Sequence, residues 1–373
     1  MIVAIAAEHD KAEPRVAATP ETVKKFLALG CKVTVEAGAG ERAGIEDRAY
    51  KDAGAAIARG PAALSKADLV LKVRRPAPAQ IKAMKKGAVL AAMMEPWDDA
   101  KGLAALARSG VTIFAMELMP RITRAQSMDV LSSQSNLAGY KSVIDAAAEF
   151  GRALPMMMTA AGTIAPARIF VMGAGVAGLQ AIATARRLGA IVSATDVRRA
   201  AGEQVESLGA KFVMVEDEAE DAETAGGYAR EMSKDYQKKQ AALIAETIAK
   251  QDIVICTALI PGRPAPQLVS KKMVESMRPG SIIVDLAVER GGNCPLSKPG
   301  ELVVHKGVKI MGYLNVAGRL AVDASSLYAR NLYTFSELLI DREKKALAID
   351  WDDEIITGTL IARDGRIVHD AIK

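Results

Sequence analysis

Histidine is scarce in this 373-residue chain: His9, His305 and His369 are the three. So few imidazoles exclude most histidine-based metal sites and Ser-His-Asp triads. Cysteine is equally sparse, and Cys31, Cys256 and Cys294 stand at unrelated spacings that form neither a disulfide framework nor a zinc pattern. A reducing compartment is the plain expectation. Aromatic residues make up only 4% of the chain, so the core must be built from Ala, Val, Ile, Leu and 16 Met. Long apolar runs are missing as well. The uncharged stretch Ile169–Ala185 carries glycines in a turn pattern and falls short of the about 18 apolar residues that a spanning helix needs. Met1–Ala7 has no basic n-region and reads as a first strand, not a signal peptide. Neither sign of charge dominates: 49 Lys and Arg against 44 Asp and Glu leave +5, too even a balance for a nucleic-acid binder of this size.

Short apolar runs alternate with helix-length segments throughout. Met1–Ala7, Cys31–Glu36, Asp68–Val73, Ala88–Met93 and Val111–Met116 read as strands. A helix opens at Thr19-Pro20, with Thr19 as N-cap and Pro20 in the first turn, where its missing N–H costs nothing; others span Ala79–Lys86 and Asp99–Arg108. A helix over about Ser135–Leu154 connects to a second run of strands at Arg168–Met172, Ile191–Asp196, Ala210–Val215, Asp252–Ala258, Ser281–Ala287 and Val308–Tyr313. Ser326–Ile340 reads as a helix; Ala346–Trp351 and Ile355–Val368 read as short strands, with Asp364-Gly365 as a hairpin turn. The alternation predicts an α/β protein with parallel sheets covered on both faces. Glu216–Tyr236 stands apart as a charged segment with Gly226-Gly227-Tyr228 in its middle, either a solvated insertion or a mobile functional element.

The strongest motif is Gly173-Ala174-Gly175-Val176-Ala-Gly178. It follows the apolar strand Ile169–Met172 and opens a helix, and the next strand ends in Asp196, 18 residues past Gly178. Gly173 permits the tight turn, Gly175 lets the backbone approach a pyrophosphate, and Gly178 lets helix and strand pack closely. The free N–H groups at the helix start bind the anion. Asp196 suits an adenosine ribose and favours NAD over its 2′-phosphorylated form. Arg198 argues the other way unless it faces solvent or stacks on adenine. Gly38-Ala-Gly40 lacks the third glycine and reads as an ordinary turn. Arg121, Gln126, Asp129 and Ser132 fall within twelve residues. They offer the donors and acceptors that hold a nicotinamide carboxamide, and helix capping would explain them equally well.

The runs Arg121–Tyr140, Pro155–Thr163, the Gly-rich turn and Asp285-Leu-Ala-Val-Glu-Arg-Gly-Gly-Asn-Cys-Pro295 resemble the NAD(H)-binding domain of proton-translocating NAD(P) transhydrogenase, the α or α1 subunit of the alanine dehydrogenase/transhydrogenase family. The resemblance implies two Rossmann-like, doubly wound parallel-sheet domains around a cleft: residues 1–132 with 320–373, and residues 133–319. It implies that Arg121, Gln126, Asp129 and Ser132 orient the nicotinamide end. Gly173, Ala174, Gly175, Val176 and Gly178 would take the pyrophosphate, and Asp196, Val197 and Arg198 the adenosine side. Gln240 and Leu259 would add nucleotide contacts, and Gly227 and Tyr228 would belong to a loop that closes over the nucleotide. NAD would bind this chain and NADP a partner domain. The resemblance also implies a homodimer, an NADP(H)-binding partner and a membrane-spanning subunit that holds this component at the cytoplasmic face of the bacterial inner membrane. The alternative is an alanine dehydrogenase-type enzyme. Arg15 and Lys72 resemble its carboxylate ligands, but its acid–base histidine is missing from Ala88–Pro96, and Glu289 stands where it has an aspartate. Ring-to-ring hydride transfer needs no such acid–base group.

Overall fold

The computed structural model describes residues 1–215, 233–260, 262–370 and 372. The chain divides into two compact units, Met1–Gln134 with Gly318–Lys373, and Ser135–Ala317. Among the described residues no helix is long and apolar enough to cross a membrane.

In chain order the strands are β1 Ile2–Ile5, β2 Lys32–Glu36, β3 Ala56–Ala58, β4 Leu69–Leu71, β5 Val89–Ala92, β6 Thr112–Ala115, β7 Met157–Thr159, β8 Gly162–Ile164, β9 Arg168–Met172, β10 Ile191–Thr195, β11 Lys211–Phe212, β12 Ile253–Cys256, β13 Ile282–Asp285, β14 Leu302–His305, β15 Val308–Met311, β16 Ile340–Asp341, β17 Ala346–Leu347, β18 Leu360–Arg363 and β19 Arg366–Ile367. The sheet of the first unit has the order β19-β18-β6-β5-β4-β1-β2-β3. Its strands β1 to β6 pair in parallel, and β18 adds to β6 antiparallel. The sheet of the second unit runs β11-β10-β9-β12-β13-β15-β14, parallel except for the edge strand β14. In both, the strand order reverses beside the first strand of the sheet, β1 and β9, as in doubly wound nucleotide-binding folds.

The unbroken apolar runs of the central strands follow from burial on both faces. In β1, Val3 and Ile5 join one core while Ala4 joins the other. In β9, Ile169 and Val171 face one cluster and Phe170 and Met172 the opposite one. Helix Pro20–Ala28 starts as its capping residues demand: Thr19 and Thr22 bond reciprocally, and Pro20 sits in the first turn. Its Val23 and Phe26 share a core with Tyr328, Leu332 and Phe335 of helix Ala321–Glu337. Phe335 meets Phe114 of β6 edge-on at 5.3 Å between ring centroids.

The connecting helix begins earlier than its sequence suggests, spanning Val130–Glu149, because Asp129 caps it by accepting the Ser132 N–H at 2.9 Å. Residues 354–359 form a helix where the sequence suggests strand: Asp353 accepts the N–H groups of Ile355 and Ile356, and this cap overrides the β-branched pair. The Asp364-Gly365 hairpin turn is present, with both residues at positive φ (51° and 80°). Gly38, at φ 77°, lies in a turn that leads into a single 3₁₀ turn.

Phe335→Ala is expected to destabilise the first unit by about 3–5 kcal/mol, because a cavity replaces a fully packed ring. Denaturant titration of both proteins measures the loss.

Candidate functional site

In the second unit the ends of β9 and β12 lie side by side, with Cys256 in register with Met172. The Gly-rich turn leaves β9 at this point. Gly173 has φ 103°, and its N–H donates to the Thr195 carbonyl at 2.8 Å. A Cβ at position 178 would stand 1.8 Å from the Gly173 oxygen, so helix Val176–Arg187 approaches the turn as only glycine allows. Gly175 differs: a Cβ there meets nothing within 4 Å, so open space faces the backbone at the helix start. Ala174 is buried, and Val176 is 40% exposed. The first-turn N–H groups of this helix thus border room for an anion, the arrangement that a pyrophosphate requires.

Asp196 follows β10 and braces this turn. Its Oδ2 accepts the Ala174 N–H at 2.8 Å and a guanidinium N–H of Arg198 at 3.0 Å. Its Oδ1 accepts the Arg198 backbone N–H at 2.9 Å and Nε–H at 3.0 Å. Both oxygens are therefore fully engaged, and a ribose hydroxyl would have to take the place of Arg198. Val197 is half-buried between the two. Thr257, just past β12, donates its hydroxyl to the Gly173 oxygen at 2.9 Å. Nothing in the sequence singles out Thr257, because its partner lies 84 residues away. Leu259 is 43% exposed two residues further on, and Gln240 is half-exposed in helix Lys234–Ile248. Gly227 and Tyr228 lie outside the described residues.

The other predicted group belongs to the first unit, in the segment after β6. Arg121 and Gln126 are exposed, Gln126 within the 3₁₀ segment Thr123–Met128. Asn331 holds that segment in place by donating to the Ser127 carbonyl at 2.7 Å. Asp129 and Ser132 come together: the Ser132 hydroxyl donates to Asp129 Oδ2 at 2.5 Å. This bond orients the hydroxyl and leaves the Ser132 oxygen as an acceptor.

The same unit contains a buried charge network that composition did not reveal. Arg15 donates to both Glu13 oxygens, at 2.7 and 2.6 Å, and to Gln134 at 2.8 Å. Arg74 bridges Glu13 and Glu95. Lys72 pairs with Glu8, and Tyr328 donates to the Lys72 carbonyl at 3.0 Å. Burial would raise the Glu13 carboxyl, but Arg15 and Arg74 outweigh it and hold the group at about 2. For Glu8, burial prevails over Lys72, and its carboxyl is raised. Glu117, after β6, has its Oε1 on the N–H groups of Met94 and Glu95 at 2.7 and 2.5 Å. Its Oε2 is buried without a partner. Burial pushes this carboxyl up to about 7 against those two bonds. Among the described residues no group of three or more His, Cys, Asp or Glu side chains is placed to hold a metal ion.

Comparison with known proteins sets this geometry in context. The alanine dehydrogenase/PNT N-terminal domain matches residues 4–138, and the C-terminal domain of that family matches residues 142–370. The chain is 56% identical over 379 residues to the first portion of the NAD(P) transhydrogenase subunit alpha of Rhodospirillum rubrum, covering 100% of this chain and 99% of that protein. A solved transhydrogenase from Sinorhizobium meliloti is 58% identical, with a TM-score of 0.91 over 99% of this chain and 100% of that one. A solved L-alanine dehydrogenase is 26% identical, with a TM-score of 0.84 over 100% of this chain and 98% of that one.

Glu117 predicts a pH effect on stability. Its folded pKa of about 7 lies above the ordinary 4.5, so its stabilising share is complete below pH 4.5 and is lost as pH rises through 7. Glu117→Gln should remove that loss. Relative to its value at pH 4.5, the variant at pH 8 should gain about 3 kcal/mol over the native chain. Denaturant titrations at the two pH values give the difference, and parallel pH profiles would contradict it.

Proposed function

Because the chain belongs to the alanine dehydrogenase/PNT family, we propose that it is the alpha-subunit component of a proton-translocating NAD(P) transhydrogenase. It binds NAD⁺ or NADH, while a partner domain holds the NADP form. The bound nicotinamide supplies hydride chemistry, with direct transfer between the two rings. A membrane-spanning partner couples that transfer to proton movement and keeps this component at the cytoplasmic face of the membrane.

The observation that carries the reading is the turn at Gly173–Gly178, whose backbone borders open space at Gly175. The N–H groups of Gly175 and Val176 take the pyrophosphate, with Gly173, Ala174 and Gly178 shaping the turn. Asp196, Val197 and Arg198 serve the adenosine side, and the Asp196 carboxylate disfavours a 2′-phosphate. Gln240 and Leu259 add contacts. Arg121, Gln126, Asp129 and Ser132 orient the nicotinamide, with the Ser132 oxygen free to accept from the carboxamide amine. Gly227 and Tyr228 serve to exclude water from the bound nucleotide. These groups position and desolvate, and none moves a proton.

One observation favours a second reading. Glu117, with its carboxyl at about 7, is the sort of acid–base group that an alanine dehydrogenase-type reaction requires. Against it, Arg15 and Lys72, the matching carboxylate ligands, are committed to Glu13 and Glu8. Mixing the chain with a separately produced NADP-binding partner domain distinguishes the two. Reduction of an NAD analogue by NADPH only in the mixture supports transhydrogenation. Oxidation of NADH by the chain alone, dependent on pyruvate and ammonia, supports the dehydrogenase. In the mixture, Arg121→Ala should lower hydride transfer at least about tenfold more than it weakens NADH binding; equal losses would contradict an orienting role.

The homodimer is proposed from the β7–β8 hairpin. Met156 just before it, and Met157, Met158 and Ile164 on it, are 60%, 46%, 78% and 42% exposed, an apolar surface that a second copy would cover. Met158→Asp should shift the chain toward monomer in sedimentation equilibrium. An unchanged mass would argue against the hairpin as the contact.

A further inference from the structure

The loop after β13 is organised around two fully buried side chains, Asp285 and Asn293. Asp285 accepts the N–H groups of Ala287 and Cys294, each at 3.0 Å, and the Ser297 hydroxyl at 2.7 Å. Gly291 and Gly292 then turn the chain through positive φ (93° and 76°). A Cβ on Gly292 would meet Asp285 Oδ2 at 2.7 Å, so this path requires glycine. The turn delivers Asn293 to the base of a neighbouring loop. Its Nδ2 donates to the carbonyls of Ala258 at 2.9 Å and Pro266 at 2.8 Å. Both partners are acceptors, so the orientation of the amide is fixed and Oδ1 is the atom left buried without a partner. The Asn293 backbone carbonyl also accepts the N–H groups of Leu268 and Val269, each at 2.9 Å.

Ala258 stands at the crossing of the proposed nucleotide site. The residue before it, Thr257, holds the Gly173 carbonyl at 2.9 Å, and the residue after it is Leu259. A Cβ on Gly173 would lie 3.2 Å from the Ala258 nitrogen. The geometry points to Asn293 as a positioning residue for dinucleotide binding. It clamps the Ala258 carbonyl and so sets Leu259 beside the Gly-rich turn. The buried, unpaired Oδ1 is a standing cost that an apolar residue would not carry, and the two donated bonds are what the site gains from it.

This inference rests on the reading of Leu259 as a nucleotide contact, and the test separates the two. Calorimetric titration with NADH is run on the full chain and on Asn293→Asp, Asn293→Ser, Leu259→Ala and the Asn293→Asp/Leu259→Ala pair, with thermal unfolding recorded for each. Asn293→Asp sets carboxylate oxygens against two carbonyls, and the Kd should rise about tenfold or more. Asn293→Ser keeps one donor and should fall between that variant and the native chain; it carries the test should the aspartate variant not fold. With Leu259 already truncated, the aspartate should add less than about threefold, because both changes act on one contact. A shift in unfolding temperature without a change in Kd would overturn the inference, as would full additivity in the double variant. Leu259→Ala without effect on Kd would overturn the Leu259 contact itself, and the inference with it.

Discussion

How little room surrounds the Gly173 carbonyl oxygen governs the Gly-rich end of the second unit's sheet. Three elements converge on this atom. The turn itself requires positive φ at Gly173. Helix Val176–Arg187 comes so close that position 178 has no space for a side chain. The strand end at Thr257 supplies the hydroxyl that satisfies the oxygen. A parallel sheet places all these ends at one edge, and the strand order reverses there, so the crowding on one side creates the opening on the other. The absence of a Cβ at Gly175 matters only because Gly173 and Gly178 have pinned the backbone around it.

The first unit solves a different problem. Glu8, Glu13, Arg15 and Lys72 are nearly dry, and each finds an opposite charge within the unit. Such pairs contribute little net stability, but each partner makes the burial of the other tolerable. The helix Ala321–Glu337 completes the arrangement, since Tyr328 closes the Lys72 carbonyl and Phe335 packs on Phe114. Glu117 differs in its partners: it bonds backbone N–H groups instead of an opposite charge, and burial raises its carboxyl as it does that of Glu8.

The central strands are legible in the sequence because a sheet buried on both faces demands unbroken apolar runs, as in Val3–Ile5 and Ile169–Met172. The capped start at Thr19-Pro20 and the Gly173–Gly178 turn are legible because local chemistry alone dictates them. The short edge strands β3 and β14 are not, since three or four half-exposed residues carry no periodicity. Helix Glu354–Thr359 is hidden because Ile355 and Ile356 favour strand while the single cap at Asp353 decides otherwise. Glu117, Thr257 and Asn293 cannot be found from sequence. Each gains its meaning from a partner tens of residues away, and their residue types are common everywhere.

The chain leaves the first unit at Gln134 and re-enters it at Gly318. Vectorial synthesis on the ribosome therefore delivers every strand of the second sheet before the first can be finished. Until residues 321–337 emerge, the face formed by Val3, Val23 and Phe26 lacks Tyr328, Leu332 and Phe335, and β6 awaits β18. A nascent chain of this design carries an open apolar sheet for the time needed to translate some 180 codons, about 10–40 s at bacterial to eukaryotic elongation rates. The order in which the two sheets are threaded thus keeps that apolar face uncovered while the whole second unit is synthesised.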